Sequence, residues 1–122
     1  MRRRRLPRLA LAAAVTIAGL PSMPGVAAPE GPPSIELRVS KRGFEPSRIT
    51  LRRGETVRLV LSSADGEHCF AIDVFRIEKR VVPGRPTRLD LTPDRAGVFP
   101  FYCCLESGGA AEVERGQLTV AE

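Results

Sequence analysis

The sequence predicts an all-β sandwich or barrel behind an export leader. Three observations predict it: period-two alternation of apolar and polar residues, Gly- and Pro-bearing turns between the alternating runs, and no run of helical period after residue 28.

The alternating runs follow one another in short order. Ile35, Leu37 and Val39 alternate with Glu36 and Arg38. Ile49 and Leu51 are set among Arg48, Thr50 and Arg52, and Val57, Leu59 and Leu61 follow the turn Arg53-Gly54-Glu55. Phe70, Ile72 and Val74 alternate with Ala71 and Asp73. Leu89 and Leu91 flank Asp90, while Leu118 and Val120 flank Thr119. Because successive side chains of a strand point to opposite faces, each run has one apolar face and reads as a half-buried antiparallel strand. Turns fall at Lys41-Arg42-Gly43, Ala64-Asp65-Gly66, Pro83-Gly84-Arg85-Pro86 and Asp94-Arg95-Ala96-Gly97. Short strands at this spacing make a sandwich or barrel. No internal repeat is present.

Residues 1–28 read as a secretory signal peptide. Five arginines and no acid lie between Met1 and Arg8, and Leu9 to Leu20 is apolar. Pro21 to Ala28 adds a breaker and small residues, with Val26 and Ala28 at −3 and −1 of a cleavage site. The apolar run is shorter than the ~20 residues that span a bilayer; an uncleaved anchor is the alternative. Arg4-Arg5 is a weak twin-arginine signal beside Pro7. Residues 29–33, Pro-Glu-Gly-Pro-Pro, have the composition of a flexible linker, leaving 34–122 as one domain.

Charge and residue counts then exclude several function classes. The chain has 19 basic and 14 acidic residues; removing the leader's five arginines leaves 14 against 14. The basic excess belongs to the leader, so the domain offers no electrostatic case for nucleic acid or for stable membrane insertion after cleavage. No Ser-His-acid order, phosphate loop or positioned acid pair is present, so the expectation is a protein that is not an enzyme. Beyond residue 28 there is no Met, one His and three Cys. In an exported chain, three cysteines suggest one disulfide and one leftover thiol. Without a Cys-x-x-Cys motif or a helix N-terminus to lower a thiol pKa, thiol-redox chemistry has little support.

A more specific pattern is carried by the order of motifs. These are Phe44-Glu45-Pro46-Ser47-Arg48-Ile49, Gly54-Glu55-Thr56-Val57, Asp65-Gly66-Glu67-His68-Cys69-Phe70, Val82-Pro83-Gly84, Gly97-Val98-Phe99-Pro100-Phe101-Tyr102-Cys103 and Gly116-Gln117-Leu118-Thr119-Val120. In this order they resemble the cupredoxin family. Within it they are most similar to the copper domain of cytochrome c oxidase subunit II and nitrous-oxide reductase, with their small exported relatives. The resemblance implies a Greek-key β-sandwich over 34–122, a periplasmic or secreted location and a copper-handling or respiratory protein as partner. It also implies that His68 and Cys103, at matching ligand positions, meet at one pole of the sandwich.

The ligand loop departs from that family. The binuclear pattern continues Cys-x-x-x-Cys-x-x-x-His-x-x-Met, but here Ser107, Ala111 and Glu114 stand at the last three ligand positions. A binuclear centre cannot be built from one chain. A blue-copper site needs two imidazoles, a thiolate and usually an axial thioether, which one histidine and no methionine cannot supply. A single copper ion on a reduced ligand set remains: His68, Cys103 and, at the position of the missing Met, Glu114. Cu(I) suits the thiolate, whereas a carboxylate suits Cu(II) better. For Glu106, Glu112 and Glu114 the default expectation is a solvated loop charge.

The resemblance also bears on the other two cysteines. In blue-copper relatives the residues after the His and Cys ligands lie side by side. Cys69 and Cys104 hold those positions, pointing away from the site and forming a disulfide in place of the relatives' hydrogen bond. Cys69–Cys103 pairing is the alternative; Cys103–Cys104 is disfavoured by its strained ring. The expected function is therefore an exported cupredoxin-like protein that binds one copper ion, for copper carriage rather than electron transfer. The alternative is a metal-free structural or interaction module stabilised by a disulfide.

Overall fold

Every alternating run of the sequence becomes a strand. In the computed structural model of the protein, which describes residues 7, 10, 12–21, 25, 31–106 and 108–122, the runs form β1 (Ser34–Ser40), β3 (Arg48–Arg52), β4 (Val57–Ser63), β5 (His68–Ile72), β7 (Thr87–Leu91) and β9 (Arg115–Ala121). Between them lie β2 (Gly43–Glu45), β6 (Ile77–Val81) and β8 (Gly97–Tyr102). Most of the expected leader, and residues 29 and 30 of the expected linker, lie outside the described residues. Residues 12–21 are exposed and carry neither helix nor strand. Among the described residues no helix is long and apolar enough to cross a membrane.

The strands form two sheets, in the orders β2-β1-β4-β7 and β3-β9-β8-β5-β6. The expectation of antiparallel pairing needs one correction. β1–β4 and β3–β9 pair in parallel, with registers such as Leu37↔Leu61 and Ile49↔Leu118, and the other pairs are antiparallel. Alternation reports which face of a strand is buried but not the direction of its neighbour. Here the chain visits the second sheet as β3 between β1 and β4, so those two strands run the same way.

The two inner faces pack into one core, with Leu37, Leu59, Leu61, Ile72 and Leu118 almost wholly buried. At its centre, Phe44, Phe70 and Phe101 form a cluster with ring centroids 5.1–5.9 Å apart, two of the three contacts edge-on. Each such ring removed from water is worth ~1.5–3 kcal/mol.

Two local readings change. β5 is buried along its whole length rather than on one face, because its outer side is also covered. Cys69 lies against Cys104, and the small Ala71 sits between its cross-strand partners Glu78 and Tyr102. Val74 falls in a 3-10 turn, Asp73–Phe75, beyond the end of β5. One helical turn also appears where no helical period was visible: α1, Gly109–Val113. At five residues it is too short to show a period, and Ala110 and Ala111 are strong helix formers.

Candidate metal centre

Period two along β5 and β8 decides where the candidate ligands point. His68, Phe70 and Ile72 share the inner face of β5, so the imidazole stands one step beyond the Phe70 ring. Phe101 and Cys103 stand in the same relation at the end of β8. Both candidate ligands therefore continue the aromatic core at one end of the sandwich, buried at 2% and 1% exposure. Cys103 Sγ and His68 Nδ1 are 4.0 Å apart.

The third member arrives on the loop. The backbone N–H of Cys103 donates to the carbonyl of Glu114 (3.0 Å), and the N–H of Glu114 donates to the carbonyl of Ala110 (3.0 Å). α1 thus delivers Glu114 to the foot of β8. Gly43, at φ +114°, allows that approach: a Cβ there would lie 2.8 Å from the carbonyl oxygen of Val113. The expectation of a solvated charge fails for Glu114, which is only 2% exposed because the helical turn folds it inward. Glu112 is exposed, as expected, and Glu106 is half-buried. Of the two other loop positions, Ala111 offers no donor atom and Ser107 lies outside the described residues.

Four electron-pair donors now face one another, three of them on buried residues. One donor atom each from His68, Cys103, Glu106 and Glu114 all lie within 4.8 Å of one another. Glu114 Oε1 stands 2.5 Å from His68 Nδ1, and has no hydrogen-bond partner among the described groups unless that nitrogen carries a proton. His68 Nε2 faces Asp65 Oδ1 at 2.6 Å. If that nitrogen carries the ring proton, a neutral imidazole presents a lone pair at Nδ1 toward the carboxylate. Two facing lone pairs repel unless a proton or a cation lies between them.

The electrostatics follow from this placement. Burial raises the Glu114 carboxyl above the usual carboxylate range; His68 opposes the shift and Glu106 reinforces it. Asp65 is held down to about 2, chiefly by the N–H of Lys41 and next by His68. The Cys69 N–H donates to Cys103 Sγ (3.2 Å), which ties the sulfur to the start of β5.

Cys69 and Cys104 lie on the other side of these strands at disulfide distance, with Cα atoms 5.2 Å apart, and Cys103 is a free buried thiol. The register between β5 and β8 includes Ala71↔Tyr102 alone, so this pair and the Cys69–Cys103 contact hold the strands together at the ligand end. Asp65 was legible in the sequence only as a turn residue. Its position three residues before the single histidine was the available sign of an orienting partner.

The donor set of one imidazole nitrogen, one sulfur and one or two carboxylates, converging at a buried point, fits a single metal ion. It does not fit two ions, since Ala111 contributes no ligand atom. Asp65, 2.6 Å from the far ring nitrogen of His68, stands where a carboxylate fixes a histidine's tautomer and ring orientation.

Comparison with known proteins places this chain in a family. The profile of the cupredoxin-like domain matches residues 8–120, and the chain belongs to that family. A probable cytochrome c oxidase subunit 2 of Streptomyces avermitilis is 40% identical over 55 residues, 45% of this chain; the match spans only 17% of that protein's length. The periplasmic domain of cytochrome oxidase subunit II of Bradyrhizobium japonicum shares the fold with a TM-score of 0.66 at 15% identity, covering 77% of this chain and 87% of the domain. The metal-binding domain of the Cu(I)-exporting P-type ATPase of Streptococcus pneumoniae, solved with Cu(I), shares it with a TM-score of 0.64 at 18% identity, covering 79% and 92%.

Proposed function

We propose that the protein is an exported copper carrier that holds one copper ion through Cys103 Sγ, His68 Nδ1 and the Glu114 carboxylate. One observation carries the reading: the Glu114 carboxylate is buried with the imidazole and the thiol sulfur, their donor atoms within 4.8 Å of one another. A bound copper ion would supply the positive charge that these donors otherwise lack. The chain's own residues do the remainder. Cys103 contributes a sulfur held by the Cys69 N–H, Asp65 orients His68, and the loop hydrogen bonds of Cys103 and Glu114 hold the carboxylate in place.

Carriage is favoured over electron transfer by the donor set. Rapid cycling asks for a ligand geometry that suits both oxidation states, whereas thiolate favours Cu(I) and carboxylate favours Cu(II). The subunit II and copper-exporter relatives make respiratory or copper-handling proteins the natural partners. Their periplasmic or metal-binding character supports a periplasmic or secreted location, reached by way of residues 1–28. The domain is stapled by a Cys69–Cys104 disulfide, leaving Cys103 free for metal.

A second reading has its own support. A single proton between Glu114 and His68 would also relieve the facing lone pairs, and the chain would then be a metal-free module stabilised by its disulfide. Anaerobic Cu(I) titration against a competing chelator separates the two, beside Cys103→Ser. One-to-one binding that the variant loses supports the carrier. No binding by the wild-type chain rejects it in favour of the module.

A further inference from the structure

The three buried donors leave one question of mechanism: how an ion reaches them. His68, Cys103 and Glu114 are each no more than 2% exposed. Glu106 alone among the four convergent residues meets solvent, and its carboxylate still lies within 4.8 Å of the other three donor atoms. It hangs on a turn closed by its own N–H, which donates to the carbonyl of Cys103 (3.3 Å). That bond ties the Glu106 backbone to Cys103, and Glu106 is half-buried where the other three residues are buried. A carboxylate at such a mouth attracts a cation and coordinates it weakly, as a hard ligand does a soft ion.

We propose that Glu106 is the entry ligand, binding the ion first from solvent or a donor and last on release. The proposal rests on the copper-carrier reading. A partly exposed carboxylate at this place stabilises the ion in transit more than at rest, where sulfur and nitrogen dominate. Its removal should therefore affect rates more than equilibrium affinity.

The test is anaerobic stopped-flow uptake of Cu(I), delivered in acetonitrile to the full chain, followed by release into excess acetonitrile. Wild type, Glu106→Gln and Glu106→Asp are compared, with Kd measured separately. Uptake and release should both slow by about tenfold in Glu106→Gln, with Kd changed much less and the rates largely restored in Glu106→Asp. Unchanged rates in a Glu106→Gln chain that still binds copper would overturn the entry role and leave the carrier reading intact. Weaker binding caused by faster release alone would also overturn it, making Glu106 a holding ligand. Failure of the wild-type chain to take up Cu(I) would instead reject the carrier reading, and the entry role with it.

Discussion

Gly116 offers the sharpest test of how the core sets the candidate metal centre. It lies opposite Phe101 across β8 and β9, two residues after Glu114. A Cβ at Gly116 would stand 2.1 and 2.2 Å from two carbons of the Phe101 ring and 2.6 Å from the carbonyl oxygen of Ser47. Neither neighbour can yield freely. The Phe101 ring is fully buried between Phe44 and Phe70, at 5.1 and 5.5 Å. The Ser47 carbonyl accepts the N–H of Gln117 at 2.8 Å, a bond that ties β9 to the turn before β3. Overpacking a fitted core costs ~1–3 kcal/mol, and a weakened backbone hydrogen bond adds ~0.5–1.5 kcal/mol. Gly116→Ala should therefore destabilise the metal-free protein by about 3 kcal/mol, a drop in Tm of roughly 12–24 °C for a domain of this size. Denaturant unfolding measures it, with Gly66→Ala as control, since a Cβ at Gly66 meets nothing within 4 Å. The control should stay within about 0.5 kcal/mol of wild type. A Gly116→Ala midpoint equally close to wild type, at unchanged m-value, would refute the claim that this contact is rigid. If the strand moves instead, Glu114 moves with it, and copper affinity should fall.

Three further outcomes follow from the same site. Asp65 is more acidic in the folded chain than when unfolded, so its contribution to stability is present above about 3.8 and lost as pH falls through about 2; Asp65→Asn should flatten that limb of an acid-denaturation series, and an unchanged limb would count against the His68 and Lys41 contacts. Glu114 shifts the other way: stability of the metal-free protein is fully present below its ordinary value of 4.5 and declines as pH rises through the raised folded value. Glu114→Gln should abolish that decline, and persistence of the slope in the variant would assign it to another group. Replacing Cys69 and Cys104 together by Ser should cost ~2–4 kcal/mol, read from the unfolding midpoint under non-reducing conditions, and a midpoint equal to wild type would argue against the bridge.

How much of this was legible beforehand depends on the range of the interaction. The strands β1, β3, β4, β7 and β9 were readable because alternation is a property of neighbouring residues, and the turn chemistry marked their ends. β6, with the sequence Ile-Glu-Lys-Arg-Val, lacks alternation because its middle residues are exposed and only Val81 is deeply buried. The parallel pairs escaped for a similar reason, since pairing direction depends on the route between sheets. His68 and Cys103 could be named from the motif order, but their 4.0 Å approach is a tertiary fact.

Residue identity by itself determined which metal centres cannot be built: one histidine, no methionine after residue 28, and Ser107, Ala111 and Glu114 in the ligand loop. Counting donors needs no coordinates. Only the tertiary structure decided what the remaining donors do. It folded Glu114 inward against His68, set Asp65 behind the imidazole and left Glu106 half-buried. Three glutamates on one loop are chemically alike, and a helical turn of five residues, allowed by a glycine on a distant strand, gave them different surroundings.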